Sequence, residues 1–586
     1  MKCCCCIEAR TFFYSILVVL GFSLVLLVAH QVLLPILGYV VPFLVPTLYD
    51  IAVYGAYPTV AYTTFDLEGP SASIVAWNDK CDDGLILLSP FGPSVPGMGP
   101  VILDADGDLV WMASNLGTVM NLKVQKYQGE NYLTFWAGAK FGGIGMGNYH
   151  MLNSSYDVVR TVSAVSSEQN PRQGDLHDFV ITDEGTALLT IYNTTQFDIS
   201  AMGRPKDGWI VDSLFQEVDM TTGELIFEWR ASDHFDPSES FYLNPFGGYK
   251  ESNPYDFFHI NSVEKDKKGN YLISSRHYHS LTYLSPEGGI LWTLGGDDND
   301  FEDLSDGQAT SFKWQHDGRW IDEEAGILSL FDNGSAGPIM RDADHSLGLV
   351  IQIDVEKRTA RLLHAFSSKG NAIAASQGSV QTLSNGHTMV GWGAAAAWSE
   401  FDSDGTLLCE MHITPSILFW WERVKSYRVL KSYDWIGRPE YPPTAKKAGD
   451  KVYVSWNGAT EVRAWQLEGR KRGTSETEWT TVDIKDKTGF EDIFTLSSSD
   501  DFTLYRVAAL DSNGGLLKHS DPVDEIDPGA SIIRWVFFGV CAALGVALGT
   551  WLFVRRKPGM SMPWLRTKVP VWDRFRYSKV SGFEMT

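Results

Sequence analysis

Positive charge and cysteine are both scarce in this chain. Its 586 residues include 48 Lys and Arg against 72 Asp and Glu, so the net charge is −24 at pH 7. Nucleic acid is therefore not expected as a partner, because its phosphates require a basic surface. Of the 7 cysteines, the adjacent four at Cys3–Cys6 are unsuited to a tetrahedral zinc site by themselves, and only Cys81 and Cys409 lie in the globular part.

Charged residues are absent from two long segments. Residues 11–34 contain no Asp, Glu, Lys or Arg, and neither does the run Trp535–Val554. About 20 such residues suffice to cross a bilayer, so we expect transmembrane helices at 11–34 and 531–554. Basic flanks stay on the cytosolic side, and the sequence RRK at 555–557 follows the second run directly.

This topology predicts that both termini are cytosolic and that the bulk of the chain lies in the secretory lumen or outside the cell. Residues 1–10 are then a cytosolic Cys-rich segment, 35–69 a membrane-proximal segment and 555–586 a basic cytosolic tail. Membrane lipid is the expected partner of the two helices. The modifications that fit these compartments are palmitoylation of Cys3, Cys4, Cys5 and Cys6, glycosylation of the sequons at Asn153 and Asn193, and a Cys81–Cys409 disulfide.

The sequence between the two predicted transmembrane helices predicts a succession of β-hairpins. Turn signals such as DADGD at 104, KKGN at 267 and DSDGT at 402 separate short runs rich in β-branched and aromatic residues. Two hairpin types alternate, which is typical of four-stranded propeller blades, and the spacing allows six or seven blades. A pair of β-sandwiches is the alternative. We assign the propeller to residues 70–437 and a small fibronectin-III-like sandwich to residues 438–530.

Three histidines precede apolar strands that end in polar turns: His177, His259 and His316. In a propeller this places them at the start of the strand nearest the central channel, so we expect them to converge. Asp178, Asn261 and Asp317 follow them closely and are expected to orient them, while His387 sits in a turn and is expected to be structural. A zinc site is the competing interpretation of three histidines.

Arginines accompany these histidines. Arg276 lies at the far end of the His259 hairpin, and Arg319 follows His316 by three residues. An arginine beside histidines favours an anionic ligand over a metal ion, because the guanidinium would repel a cation. We therefore predict an anion site with Asn261, Asp317 and Arg319 among its substrate-binding residues, and with no metal and no cofactor.

Several of these motifs occur together in an order that resembles the arylsulfate sulfotransferase (arylsulfotransferase, ASST) family. They are LHDFVITDEGT around His177, HINS at 259–262, NYLISSRH at 270–277, QHD at 315–317 and LSLFDNG at 328–334. The likeness covers about residues 80–415 and is nearest to membrane-anchored eukaryotic, fungal-type members. It implies an all-β fold with a six-bladed propeller and a site at the mouth of its channel.

The resemblance also implies a reaction, which is transfer of a sulfuryl group from a phenolic sulfate to a second phenol without a nucleotide donor. It assigns the nucleophile to His316, sulfate binding to His259 and Arg276 with support from Asn261, and the remaining catalytic position to His177. Asp317, next to the nucleophile, is expected to raise the pKa of His316. The alternative is an inactive propeller that serves as a binding or scaffold membrane glycoprotein.

The FDNG motif contains a third sequon, at Asn333. If this hairpin lines the channel, a glycan would not fit there. We therefore expect Asn333 to be unmodified.

Overall fold

The computed structural model describes residues 19, 23, 26–27, 29–40, 45–114, 116–167, 172–471, 473–497 and 502–523. The predicted helix at 531–554, the tail at 555–586 and the four N-terminal cysteines lie outside these residues, as does most of the predicted helix at 11–34. Within the part of the chain that is described, no helix is both long and apolar enough to cross a membrane.

The described chain is built mainly of β-strands, which confirms the prediction of an all-β fold. Five sheets follow one another along the sequence, each with four antiparallel strands in hairpin order. Sheet A comprises Thr118–Tyr127, Glu130–Phe141, Ile144–Leu152 and Val158–Val162; sheet B comprises Phe179–Ile181, Thr186–Phe197, Gly208–Asp219, Leu225–Arg230 and the edge strand Tyr255–Asp256; sheet C comprises Ile260–Lys265, Tyr271–Ser275, Ser280–Leu284 and Ile290–Gly295; sheet D comprises His316–Asp322, Ile327–Asp332, Leu347–Asp354, Thr359–Phe366 and the edge strand Glu302–Asp303; sheet E comprises Ser379–Thr382, Thr388–Gly391, Ala397–Phe401, Leu407–His412 and the edge strand Ser73–Ala76. The short edge strands of sheets B and D are parallel to their neighbours, and that of sheet E is antiparallel.

A sixth sheet, F, joins the two ends of this region. Its first strand, Lys425–Ser432, pairs in antiparallel fashion with Leu85–Phe91 from far upstream. The strands Val101–Leu103 and Leu109–Met112 complete it. Hydrophobic clusters lie between each consecutive pair of sheets from A to F, and another lies between F and A. The six sheets therefore pack as a closed ring.

The predicted turns form through a shared local geometry. Asp266 follows the strand Ile260–Lys265, and its Oδ1 accepts hydrogen bonds from the backbone N–H groups of Lys268 and Asn270, each at 2.8 Å. Gly269 completes the turn with a φ of +85°, which a residue with a Cβ adopts only with strain. Asp104 and Asp402 bind their own turns in the same way. A side chain that satisfies the turn amides explains why this motif recurs between strands.

Two smaller sheets follow the ring. Sheet G contains Thr444–Ala448, Lys451–Ser455 and Glu491–Thr495, and sheet H contains Ala464–Arg470, Thr480–Asp486, Leu504–Leu510 and Leu516–His519. A shared core that includes Trp465 and Tyr505 lies between them. They meet the ring through Gly458, whose N–H donates to the carbonyl of Val110 and whose carbonyl accepts from the Tyr156 hydroxyl.

Helical residues are few in the described chain. A π-helical turn at Ala29–Leu33, a helix at Leu34–Val40 and a helix at Val45–Asp50 precede the two-stranded pair Thr59–Val60 and Gly69–Pro70. Short 3₁₀ turns occur at Ser200–Met202, Ala231–Asp233, Pro237–Glu239, Gly393–Ala395 and Ser416–Trp421. A disulfide joins Cys81 to Cys409 across a sequence separation of 328 residues, with the two Cα atoms 5.8 Å apart.

Candidate active site

Three histidines that precede or begin the first strands of neighbouring sheets lie around one cavity. His177 comes just before the first strand of sheet B, His259 comes just before that of sheet C, and His316 begins that of sheet D. These strands all run away from the same side of the ring, so the three imidazoles meet there. The cavity has a volume of about 170 Å³, and Arg276 also lines it. The structure therefore brings together the four residues assigned to catalysis from the sequence.

His316 is held in one tautomer by two hydrogen bonds. Its Nδ1 lies 2.7 Å from the amide oxygen of Asn333, so Nδ1 carries the proton. Its Nε2 accepts the backbone N–H of Gln377 at 3.1 Å, so this nitrogen holds a lone pair. Burial, followed by the charge of Arg276, holds the pKa of His316 well below its usual value. The ring is therefore neutral at pH 7, and its unprotonated Nε2 is engaged by the Gln377 N–H; both residues line the cavity.

The other two histidines each rest against a carboxylate. The Nδ1 of His177 bonds to Asp175, and the Nδ1 of His259 lies 2.5 Å from the carboxylate of Asp256. The two rings are 4.8 Å apart and nearly perpendicular. Neither Nε2 has a hydrogen-bond partner among the described residues, so both are available to a ligand. Burial, with smaller contributions from His177 and Arg276, holds the pKa of His259 well below its usual value.

Arg276 is a buried cation that forms no ion pair within the described chain. Its Nη2 donates to the carbonyl of Ala375 at 2.7 Å, and its Nη1 lies 3.3 Å from the Nε2 of His277. Its Nε is buried without a hydrogen-bond partner. The guanidinium also lies over the Trp314 ring, 5.6 Å from the ring centroid. Burial lowers the pKa of Arg276, and an anionic ligand would supply the charge that the protein does not.

Several lining residues were missed by the sequence analysis. Lys140 and Lys425 approach the Phe91 ring, at 5.7 and 5.5 Å from its centroid, and add positive charge to the cavity. Phe91 and Tyr427 provide aromatic walls. Lys140 precedes a Gly-Gly turn on the same side of the ring as the histidines. This position in its hairpin could have identified Lys140 from the sequence. Lys425 could not be found in this way, because its strand joins sheet F only through long-range pairing.

The residues that orient the histidines also differ from those expected. Asp175 and Asp256 bind the imidazoles, and they precede His177 and His259 by two and three residues. From the sequence, this role was expected of Asp178, Asn261 and Asp317, which follow the histidines. Asn261 instead donates from its Nδ2 to the carbonyl of Gln315 at 2.7 Å and does not line the cavity.

Asp317 and Arg319, expected to bind substrate, are engaged in a buried ion cluster instead. Asp317 lies 3.0 Å from Arg319 and 3.2 Å from Arg428, and the same two arginines contact Asp178 at 2.5 and 3.0 Å. Burial opposes ionisation of Asp178, but the arginines still hold the pKa of its carboxyl well below the usual value. Neither Asp317 nor Arg319 lines the cavity.

This cluster corrects the expected effect of Asp317 on the nucleophile. The sequence predicted that Asp317 raises the pKa of His316, whereas the pKa of His316 is lowered. The negative charge of Asp317 is neutralised by the guanidinium groups of Arg319 and Arg428. Burial and Arg276 therefore dominate the environment of His316.

The three sequons lie in different environments. Asn333 is fully buried, and its Nδ2 donates to the carbonyls of Ala374 and Gln377 at 2.8 and 2.9 Å. A glycan on this nitrogen would break both bonds and would not fit, in line with the expectation from the sequence. Asn153 and Asn193 are partly exposed, and whether they carry glycans stays a prediction.

A metal-like cluster also occurs beside the cavity. Asp256, His259 and His277 place potential ligand atoms within 4.8 Å of one another. The Nδ1 of His259 bonds to the carboxylate of Asp256 at 2.5 Å, and the Nδ1 of His277 bonds to the backbone carbonyl of Asp256 at 2.7 Å, so both Nδ1 atoms already have partners. The adjacent guanidinium of Arg276 opposes a cation, so these residues fit an anion site better than a metal site.

The fold and this cavity define an all-β protein with a buried site formed by histidines and by the basic side chains of Arg276, Lys140 and Lys425. Residues 123–414 match the model of the arylsulfotransferase (ASST) family. This match supports the resemblance to that family noted from the sequence. It also supports a sulfotransferase-like enzyme and, in general terms, phenolic substrates. No curated protein matches the chain.

Three solved structures are distantly similar to the chain. A Bacteroides caccae protein of unknown function is 13% identical, with a TM-score of 0.34, and the match covers 60% of this chain and 100% of that one. A streptogramin B lyase is 10% identical, with a TM-score of 0.28 and coverages of 65% and 94%. The calcium-binding protein regucalcin from Agrobacterium tumefaciens is 10% identical, with a TM-score of 0.24 and coverages of 56% and 83%.

Proposed function

We propose that the chain transfers a sulfuryl group from a phenolic sulfate to a phenol through a covalent intermediate on His316. The Gln377 N–H first releases Nε2 of His316. The freed lone pair attacks sulfur, the S–N bond forms, and the S–O bond to the aryl group breaks. The phenolate leaves with the bonding electron pair. A second phenol then attacks sulfur, and the S–N electron pair returns to the imidazole.

The observation that carries this proposal is that the buried guanidinium of Arg276, which has no ion pair among the described residues, lies in the same cavity as a neutral His316. A sulfate ester would provide an anionic partner for the guanidinium of Arg276. The sulfuryl oxygens of the ester carry negative charge throughout the transfer. Fixed donors at such oxygens are often worth several kcal/mol in the transition state. His259 adds a second donor group, and Lys140 and Lys425 attract the anion to the cavity.

Proton transfer falls to His177 in this scheme. Its Nδ1 is held by Asp175, so its Nε2 is the atom that faces a ligand. Protonated His177 donates to the departing phenolate oxygen, and neutral His177 accepts the proton of the second phenol. Phe91 and Tyr427 provide apolar contact for the aryl ring.

A decisive test is to incubate the purified protein with 4-nitrophenyl sulfate and to search for a sulfuryl adduct by mass spectrometry. We expect the adduct on His316, with nitrophenol release that ceases in His316→Asn. The matched control is His387→Asn, which changes a histidine outside the cavity and should retain transfer. Transfer that persists in folded His316→Asn would show that the nucleophile is another group.

The second candidate function is an inactive binding or scaffold protein. The observation that favours it is the hydrogen bond from the Gln377 N–H to the Nε2 of His316, which occupies the lone pair needed for attack. On this alternative the cavity binds an aryl sulfate, no phenol is released and no adduct forms. Calorimetric binding without turnover would identify it.

The proposal extends to the architecture. The closed ring of sheets A to F is interpreted as a six-bladed propeller at residues 70–437, and sheets G and H as a fibronectin-III-like domain at 438–530. Anchors at 11–34 and 531–554 would hold both domains in the lumen or outside the cell. Protease treatment of sealed vesicles should spare these domains and remove the tail at 555–586; cleavage within the propeller of intact vesicles would exclude this topology.

A further inference from the structure

The side of the ring that carries the cavity also carries the most exposed apolar side chains. This side, called here the mouth side, is where the first strands of the sheets begin and where the second and third strands of each sheet are connected. Within the described residues, the four large apolar side chains with the highest exposure are Ile339 at 90%, Phe246 at 79%, Trp421 at 70% and Leu243 at 69%. All four lie in connections on the mouth side.

These connections do not line the cavity themselves, but they contact or lead into residues beside it. The segment that carries Leu243 and Phe246 also carries Phe241, whose ring stacks on His279 at 4.4 Å. The N–H of Phe241 donates to the carbonyl of His277, next to Arg276. The segment with Trp421 leads into Lys425, which lines the cavity.

The connection that carries Ile339 is also hydrogen-bonded to a residue next to the cavity. Its Asp342 accepts a hydrogen bond from the indole N–H of Trp314 at 2.7 Å, and Trp314 lies under the guanidinium of Arg276. The exposed apolar residues thus project from loops that are anchored beside the cavity.

The N-terminal helices lie on the mouth side as well. The Oδ1 of Asp50, at the end of the helix Val45–Asp50, lies 3.5 Å from the Nδ1 of His412 at the mouth-side end of sheet E. It also accepts the backbone N–H of Ser416 at 3.3 Å. The chain before this helix is apolar and without charge as far as residue 11, and Leu33 and Leu37 are exposed. The apolar N-terminal sequence therefore joins the ring on its mouth side.

We propose that the mouth side docks on a phospholipid bilayer and that the cavity takes its substrates from the membrane interface. Separate loop tips bearing Trp, Phe, Ile and Leu suit insertion at the boundary between headgroups and acyl chains. The uncharged N-terminal run on the same side favours a bilayer over a protein partner. As regards substrates, the inference rests on the proposed function and narrows it to phenols and aryl sulfates that partition into membranes.

The contact can be tested in the full chain without any need for activity. Phe246→p-benzoylphenylalanine and Ile339→p-benzoylphenylalanine place photocrosslinkers on the mouth side. Ile484→p-benzoylphenylalanine is the matched control, because Ile484 is 55% exposed but lies in sheet H. Each protein is reconstituted in phosphatidylcholine–phosphatidylserine vesicles and irradiated, and its peptides are analysed by mass spectrometry.

We expect lipid adducts at positions 246 and 339 and none at 484. Absence of lipid at both mouth positions, an equal yield at 484, or crosslinks to a second copy of the chain would overturn the proposal. A kinetic comparison then tests delivery of substrate. In Phe246→Ser/Ile339→Ser, transfer to a long-chain alkyl phenol should fall roughly tenfold, as expected from loss of buried apolar area.

Transfer to unsubstituted phenol should not change in that double variant. An equal loss with both acceptors would refute delivery from the membrane. An enzyme without any turnover would refute the proposed function but leave the crosslinking result valid, so the two failures are distinguishable.

Discussion

Two buried arginines provide a direct test of the anion site. Arg276 and Arg428 are 8% and 4% exposed. Arg428 lies 3.0 Å from Asp178 and 3.2 Å from Asp317, whereas Arg276 has no ion pair among the described residues. Arg428→Gln removes a buried positive charge that has carboxylate partners. Arg276→Gln removes a buried positive charge that has none among the described residues.

The expected effects of the two changes have opposite patterns. In Arg428→Gln, two carboxylates lose a buried partner, and such a loss costs about 3–5 kcal/mol of stability. In Arg276→Gln, the burial of an uncompensated charge is relieved, so the free energy of unfolding should stay the same or rise. Loss of one fixed donor to the sulfuryl oxygens should nevertheless lower the transfer rate by about 10²–10³-fold.

The assay combines nitrophenol release from 4-nitrophenyl sulfate with thermal unfolding, measured with and without inorganic sulfate. Sulfate should raise the unfolding temperature of the unmodified protein but not that of Arg276→Gln, because a ligand stabilises only the state that binds it. If Arg276→Gln unfolds as early as Arg428→Gln, Arg276 has a structural role. If Arg276→Gln is folded and retains full transfer, the anion site is refuted.

Two further predictions concern protonation. Asn333→Asp places a carboxylate against the Nδ1 of His316 and should raise the pKa of this ring, so kcat/KM should fall about tenfold per pH unit below the new pKa. The unmodified protein and Asn153→Asp, a matched change at a partly exposed sequon, should share one profile, and only Asn333→Asp should move the loss of kcat/KM to higher pH; a profile unaltered by Asn333→Asp would argue against His316 as the nucleophile. Stability should fall as the pH drops below about 6.5, because the unfolded state then binds a proton at His316 that the folded state, with its lowered pKa, does not. His316→Asn should remove about 1.4 kcal/mol per pH unit of this slope in urea unfolding between pH 5 and 6.5, and identical slopes would contradict the lowered pKa.

The local parts of the fold were predictable from the sequence. The turns at Asp104, Asp266 and Asp402 are recognisable because the carboxylate, the amides it binds and the glycine lie within a few residues of one another. The convergence expected for His177 and His259 followed from similar positions in successive hairpins. Repetition along the chain was sufficient here because each sheet is formed by consecutive strands.

The electrostatic environment of the site was not predictable in this way. Arg428 binds Asp178, 250 residues away in the sequence, and the same guanidinium neutralises Asp317. Such partners cannot be identified from their spacing in the sequence. Asp317 was therefore expected to act on His316 as an unneutralised negative charge. Lys425 escaped notice for a related reason, since its strand completes a sheet begun more than 300 residues earlier, as the pairing of Lys425 with Phe91 shows.

Hairpin composition and turn chemistry thus sufficed for an all-β chain and for histidines at the starts of strands, because these properties depend on neighbours in sequence. Closure of the ring leaves Arg276 without a counter-ion among the described residues, gives Arg428 two of them, Asp178 and Asp317, and buries His316. Burial and charge pairing depend on residues that meet only in the folded state, and these two effects set the pKa values and the anion affinity of the cavity.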